Sequence, residues 1–202
     1  IEAVLARLCA AEMLQPRSGQ DGQSYSFRHP LIQEVAYSTQ LRARRSVLHA
    51  RVARAIEQFC PERLDEFAAL LSHHFEQAGE TDAVAEYAAR AARWIGSTST
   101  AEAIRHWHKV RTLKAAQPRN PRDDALRIAA SSQIAWLGWR EGMTSEEAKP
   151  FIQEALECAR DIDDSMIPLL LFVEGRIAGA SGGQADAYVN AVKEALALTE
   201  SR

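Results

Sequence analysis

Apolar residues recur at helical spacing along most of the chain. After residue 40 the pattern predicts helices joined by turns of three to five residues, at about 41–60, 62–78, 82–96, 100–116, 122–141, 145–162, 165–180 and 184–201. Turns this short favour antiparallel helical hairpins stacked in chain order. Because no stretch after residue 28 alternates as a strand does, we predict an all-α array over 41–202.

The first forty residues have a different pattern. Apolar positions predict a helix over 1–14, turn-forming residues fill 16–24, and the stretch SYSF, which ends at Phe27, alternates like a short strand. Pro30 suits the first turn of the next helix, where its missing N–H has no helical partner to lose. A helix, a turn and a strand in this order are typical of the end of a winged-helix unit. We therefore expect 1–40 to be a partial winged-helix-like segment with a short strand or hairpin.

The helical array also carries a loose internal repeat. A small residue is followed four positions later by a bulky one, in the pairs Ala83/Tyr87, Ala103/Trp107 and Ala148/Ile152. This spacing is typical of the second helix of a tetratricopeptide (TPR) repeat, in which small residues let helices approach closely. Pro150 falls where one such helix should already be running, so we expect that helix to start late or to kink. The prediction is a TPR-like α-solenoid, and an irregular helical bundle is the alternative.

Composition places few limits beyond those of an ordinary globular protein. The 202 residues carry a net charge of −3, which gives no global field toward nucleic acid or an anionic membrane. The longest apolar run, MIPLLLFV, is far shorter than a bilayer span requires. Three cysteines stand far apart without a C-x-x-C pair, so a reduced, cytoplasmic setting is expected. Because the chain opens on Ile1 and ends within a helical pattern, we expect it to be a piece of a longer protein.

The sequence offers no catalytic, cofactor or metal constellation. It lacks the G-x-x-x-x-G-K-[ST] loop that cradles phosphates. His29 has no partner nearby that would make it a general base. His73 and His74 are adjacent, so on a helix they point about 100° apart and cannot hold one metal ion together. We therefore expect no enzyme activity, no cofactor and no metal in this chain.

An arginine-rich helix follows residue 41. Its five arginines are Arg42, Arg44, Arg45, Arg51 and Arg54. On a helical wheel four of them spread over the polar face, whereas a phosphate-binding cluster would need them to converge, so nucleic-acid binding is disfavoured. Arg45 instead falls on the apolar stripe. We expect it to be buried and paired with Glu34, because a buried guanidinium without a partner is too costly.

One surface is predicted to bind a partner. Three helices carry a small residue that we expect to mark their close contact with a neighbouring helix, namely Ser72, Gly138 and Gly175. The residue after each is turned about 100° away, toward the groove of a TPR-like stack. We thus predict a groove wall formed by His73, Trp139 and Arg176, with Phe172 one turn before Arg176. Trp and Arg are the residue types that most often anchor interfaces. The alternative is that Trp139 fills the core between hairpins.

Three stretches carry a family resemblance: YSFRHPLIQEVAYSTQLRARRSVLHARVARAIE, LLSHHFEQAGETDAVAEYAARAA and TAEAIRHWHKV. They resemble the C-terminal region of multidomain bacterial adenylate/guanylate cyclases, in which a cyclase domain precedes a STAND-type ATPase module, a winged-helix-like segment and a TPR-like tail. The resemblance implies a non-catalytic regulatory module whose partners are proteins, either other domains of its own chain or a partner peptide, and not a membrane. LuxR-like STAND transcriptional regulators have similar stretches, so the sensing tail of such a regulator is the alternative. The sequence leaves the oligomeric state open.

Overall fold

A computed structural model describes residues 2–19, 22–162, 164–180 and 185–200. In these ranges it contains ten α-helices and one two-stranded hairpin: α1 (Glu2–Ala10), β1 (Leu14–Gly19), β2 (Gly22–Phe27), α2 (Pro30–Ser38), α3 (Arg42–Phe59), α4 (Ala68–Ala78), α5 (Thr81–Ile95), α6 (Thr100–Ala115), α7 (Pro121–Arg140), α8 (Ser145–Ile162), α9 (Ile167–Ala180) and α10 (Ala185–Glu200). The predicted all-α class with a short hairpin near the N-terminus is confirmed.

The chain forms two compact units, Ile1–His49 and Ala50–Arg202, which divide within α3. The boundary that the sequence predicts, at residue 40, lies in the turn before this helix. Because α3 continues across this division, the local sequence pattern does not mark where one unit ends and the next begins.

The N-terminal unit is built around the β-hairpin. The strands pair antiparallel with Leu14 opposite Phe27, so most of 16–24, which we expected to be a turn, is strand. The first helix ends at Ala10 rather than near residue 14, because Glu12 adopts a left-handed backbone with φ of 56°. No described residue of this unit before Ala50 is buried. The unit therefore lacks an apolar core of its own in the described residues.

The second unit is a stack in which each helix from α4 to α10 packs against the next. Ion pairs also join alternate helices. Lys109 of α6 reaches Glu76 of α4 at 2.8 Å, and Arg122 of α7 reaches Glu86 of α5 at 2.9 Å. Arg111 of α6 likewise reaches Glu154 of α8, and α7 contacts α9. Consecutive helices therefore alternate between two layers, which contain α4, α6 and α8 on one side and α5, α7 and α9 on the other.

Three apolar clusters follow one another through this stack. The first centres on Phe75 and Tyr87, whose rings stack at 5.4 Å, and the second on Trp107, which is 2% exposed. The third contains Ala148 and Ile152. The bulky members of the three repeat pairs are thus all buried, and they fill the space beside the small residues as the repeat pattern predicts.

Local signals set the helix ends. Gly79 ends α4 with φ of 83°, a left-handed conformation that glycine adopts without strain. Thr144 and Glu147 form a capping box, in which the Thr144 amide donates to the Glu147 carboxylate at 2.8 Å and the Glu147 amide donates to the Thr144 hydroxyl at 3.3 Å. This box starts α8 at Ser145, with Pro150 inside the helix. Of the two expectations for this helix, a late start or a kink at Pro150, the late start is therefore wrong.

Candidate functional site

A concave surface of the second unit lies along α5, α7 and α9. Two neighbouring cavities, of about 470 Å³ and 230 Å³, open on it. They share five lining residues, namely Ser132, Gln133, Trp136, Met166 and Leu169. Because the shared residues join the two cavities, we treat them as one surface and call it the α5/α7/α9 groove.

The floor and rim of this groove are mainly apolar. Trp136 of α7 is half-buried and borders both cavities, and Leu169 of α9 is 55% exposed. Met166, just before α9, is 38% exposed. Leu170 and Val173 extend the apolar lining along α9. Large apolar side chains held at a concave surface are typical of binding sites for apolar groups.

Two polar side chains of the groove keep unused hydrogen-bonding capacity. The Gln133 amide forms no hydrogen bond within the described residues, although it borders both cavities. Arg93, in the last turn of α5, is exposed, and its guanidinium carbon lies 5.6 Å from the ring centroid of Trp107. Within the part of the chain that the structure describes, no carboxylate pairs with Arg93. Ser132 differs, because its hydroxyl donates to the Ala129 carbonyl at 3.2 Å.

The structure brings together two of the residues predicted for a groove wall. The Arg176 guanidinium carbon lies 5.8 Å from the ring centroid of Trp139, and the Trp139 ring is tilted against Trp136 at 5.7 Å. Trp139 is half-buried and packs against the third apolar cluster, so it contributes to packing and also supports an exposed arginine. Phe172 lines the smaller cavity and meets Tyr188 edge-on at 6.3 Å.

His73 does not share this wall. It is exposed on α4, and none of the described residues that line the groove belongs to α4. The prediction assigned α4 to the same side as α7 and α9. Because consecutive helices alternate between the two layers, α4 and α7 lie in opposite layers.

Two of the three small residues, Ser72 and Gly175, contact the next helix closely, as predicted. A Cβ atom on Gly175 would lie 2.6 Å from the Ala191 Cβ of α10. The Ser72 hydroxyl donates to the Val84 carbonyl of α5 at 3.3 Å. A Cβ on Gly138 would lie 2.5 Å from Met143. In this last case the close neighbour belongs to the turn after α7 rather than to a partner helix.

The expected buried pair of Arg45 and Glu34 is corrected by the structure. Glu34 is exposed and Arg45 is half-buried, with its guanidinium carbon 4.8 Å from the ring centroid of Tyr37. Tyr37 also hydrogen-bonds to His49, at 3.1 Å between Oη and Nε2. The apolar stripe of α3 is largely exposed to solvent. Arg45 therefore does not need a buried carboxylate partner.

A buried ionic cluster between α5, α6 and α7 was not predicted. The Lys114 ammonium, with a side chain only 3% exposed, lies 2.8 Å from Asp82 and 2.5 Å from Asp123. Beside it, Arg127 pairs with Asp124 at 2.7 Å and donates to the Gln117 carbonyl at 2.7 Å. Every buried side-chain nitrogen or oxygen among the described residues has a hydrogen-bond partner.

The charges of this cluster hold one another ionised. Burial would by itself lower the pKa of Lys114, but hydrogen bonds to Asp123 and Asp82 raise it above its ordinary value. The same hydrogen bond from Lys114 lowers the pKa of Asp123 and of Asp82. The cluster is therefore a satisfied structural network that links three helices, and we do not treat it as a binding site.

Sequence reasoning missed Arg93, Gln133 and Leu169 in the groove. Arg93 follows Ala92 in an alanine-rich helix and looks like an ordinary cation at a helix end. Leu169 belongs to the apolar run MIPLLLFV, in which every residue looks like core. No local pattern distinguishes the member of that run that faces the open groove.

The described residues contain no group of three or more histidine, cysteine, aspartate or glutamate side chains that could hold a metal ion. No helix among them has both the length and the apolar character needed to cross a membrane.

The fold and the groove define an all-α protein with an open apolar surface, and comparison with known proteins adds one relative. The chain is similar to "Uncharacterized protein R02095" of Rhizobium meliloti (strain 1021), with 30% identity over 139 residues. The aligned part is 68% of this chain but 14% of that protein, so the chain spans a small part of its relative's length. No protein-family model matches the chain. No solved structure matches it either.

Proposed function

We propose that this chain is a regulatory protein-interaction module, without catalytic activity of its own, of a multidomain bacterial signalling protein. The observation that carries the proposal is the α5/α7/α9 groove, where Trp136, Met166 and Leu169 form an apolar surface between neighbouring helices. Apolar surface kept open at a concave site is typical of a surface that another protein segment covers.

We further propose that the second unit is a TPR-like solenoid. Three features support this architecture: the alternation of helices between two layers, the close contact at Gly175, and the small–bulky pairs such as Ala103 and Trp107. In TPR-like stacks one layer lines the surface that binds partner segments. The layer of α5, α7 and α9 has that role here.

The parent protein that we propose is an adenylate/guanylate cyclase located in the cytoplasm. The resemblance of residues 25–57, 70–92 and 100–110 to the C-terminal region of such cyclases supports this assignment. The length of the relative in Rhizobium meliloti supports a place within a longer chain. The alternative parent is a LuxR-like STAND transcriptional regulator, and the complete reading frame separates the two. A cyclase domain upstream supports the first, whereas a helix-turn-helix domain downstream supports the second.

The test uses the full-length protein with Leu169→Glu, a change that places a charge in the groove at a side chain that is 55% exposed. Formation of cyclic AMP and cyclic GMP is measured from ATP and GTP. If the groove holds a regulatory partner, we expect the rate to change about fivefold or more, the lower end of typical coupling between sites.

The matched control is Leu196→Glu on α10, because Leu196 is also 55% exposed but lies outside both cavities. The control should leave the rate unchanged. Equal effects of the two substitutions would contradict a role for the groove. Cyclic-nucleotide formation by the 202-residue chain alone would contradict its assignment as non-catalytic.

A further inference from the structure

We infer that the α5/α7/α9 groove binds a peptide segment with bulky apolar side chains and an acidic side chain that pairs with Arg93. This inference rests on the proposed function, because it names the chemistry of the partner that the groove takes. One end of the groove carries an arginine that has no carboxylate partner among the described residues.

Arg93 is one of the arginines of its layer that lack a carboxylate partner among the described residues, whereas two others are paired. Arg90 of the same helix pairs with Asp65 at 2.7 Å, and Arg122 of α7 pairs with Glu86 at 2.9 Å. Arg93 borders the larger cavity without a carboxylate partner among the described residues. A guanidinium at the exposed rim beside apolar surface presents several N–H donors to a ligand that enters the groove. A carboxylate from a bound segment is the group that best completes it.

The position of Arg93 is also fixed before any partner binds. Its guanidinium lies over the ring of Trp107, a side chain that is 2% exposed and therefore held rigidly by the second apolar cluster. A cation over an aromatic ring is stabilised by the ring's quadrupole. Since less side-chain freedom is then lost on binding, an acidic group is bound more tightly than by a freely moving arginine.

The remaining lining fits a polypeptide. The Gln133 amide, which borders both cavities, offers donors and an acceptor to the backbone of a bound segment. Trp136 and Leu169 provide apolar contact area. Met166 adds an unbranched, adaptable side chain of the kind common on peptide-binding surfaces. Two joined cavities can accept two bulky side chains of one segment.

The carboxylate belongs to an aspartate or glutamate side chain rather than to a chain terminus. Terminal carboxylates are held in nests of backbone N–H groups. At this end of the groove α5 ends, so its last turn presents carbonyl oxygens, and the Gly96 amide is already bonded to the Ala92 carbonyl at 3.0 Å. The donor that remains is the Arg93 side chain, at the exposed rim.

The experiment selects ligands without presupposing a natural partner. A phage-displayed library of random 12-residue peptides is panned against the 202-residue chain, and the strongest binder is labelled with fluorescein. Its affinity is measured by fluorescence anisotropy for the wild type and for Arg93→Gln, Leu169→Glu and Arg105→Gln. Arg105 is an exposed arginine of α6 outside both cavities, so Arg105→Gln is the matched control.

We expect the selected peptides to combine bulky apolar residues with an aspartate or glutamate. Arg93→Gln should weaken binding about 10-fold or more, the range of a hydrogen bond between charged groups. Replacing the acidic residue of the peptide by its amide should weaken binding to the wild type equally. The same replacement should cost almost nothing further against Arg93→Gln, because the pair is already broken. Leu169→Glu should abolish binding, and Arg105→Gln should leave it unchanged.

Each other result has a definite meaning. Binders that lack an acidic residue, or that tolerate Arg93→Gln but not Leu169→Glu, overturn the inference and leave the proposed function standing. A selection without binders, or with binders that tolerate Leu169→Glu, overturns the inference and removes the main support for the proposed function. Octanoate serves as a small-molecule probe. If it binds with the same dependence on Arg93 while no peptide is selected, the groove takes a carboxylate ligand that is not a peptide.

Discussion

Removing the Lys114 ammonium should destabilise the second unit more than removing any exposed charge. The substitution Lys114→Met keeps an apolar stem that is one atom shorter than the lysine side chain but leaves Asp123, which is 9% exposed, without its cation at 2.5 Å. The second partner, Asp82, has a side chain that is 79% exposed and can return to water. The expected loss in the free energy of unfolding therefore comes mainly from one buried carboxylate. Breaking a buried pair in this way costs about 3–5 kcal/mol.

The measurement is urea unfolding and thermal unfolding of the wild type and the variant, both followed by circular dichroism at 222 nm. For a domain of this size, about 3–5 kcal/mol corresponds to a fall of roughly 6–20 °C in melting temperature. The matched control is Arg122→Ala, because Arg122 pairs with Glu86 while its side chain is 80% exposed. Such an exposed pair contributes about 0–1 kcal/mol.

The pH dependence gives a second check. Lys114 lowers the pKa of Asp123 below its ordinary value, so this carboxylate adds stability above the unfolded pKa, near 4, and loses it as pH falls through the lower folded value. The difference between wild type and Lys114→Met should therefore be full at neutral pH and shrink below about pH 4. Adding Asp123→Asn to the variant should recover part of the loss, since it removes the uncompensated charge. A deficit that matches Arg122→Ala, or that does not change with pH, would refute this reasoning.

Two further predictions concern packing. Gly175→Ala should cost about 1–3 kcal/mol because the new Cβ would lie 2.6 Å from Ala191 Cβ, and adding Ala191→Gly should restore most of the loss in urea unfolding. No recovery would show that the two residues do not share one contact. Trp107→Ala should cost about 3–5 kcal/mol, whereas Trp139→Ala should cost clearly less, because Trp139 is half-buried and Trp107 is 2% exposed. Equal losses in thermal unfolding would show that Trp139 is a full core residue.

The sequence alone was enough to predict where most helices run. Periodicity of apolar residues is a local property, and so are the signals that end helices, such as Gly79 after α4. The capping box of Thr144 and Glu147 is another local signal, and it indicates a helix that starts before Pro150. The burial of Trp107 and Ile152 also follows from their positions in the repeat pattern.

Only the tertiary structure decided which faces meet. A repeat pattern says that helices pack in pairs but not which layer each helix joins, so His73 was assigned to the wrong layer, whereas Trp139 and Arg176 were correctly placed together. Arg93 and Lys114 are both basic residues in the last turn of a helix, and nothing local distinguishes them. Lys114 lies beside two carboxylates from neighbouring helices, whereas Arg93 lies over an aromatic ring and borders an open cavity. That difference arises because charges far apart in sequence become neighbours only when helices pack.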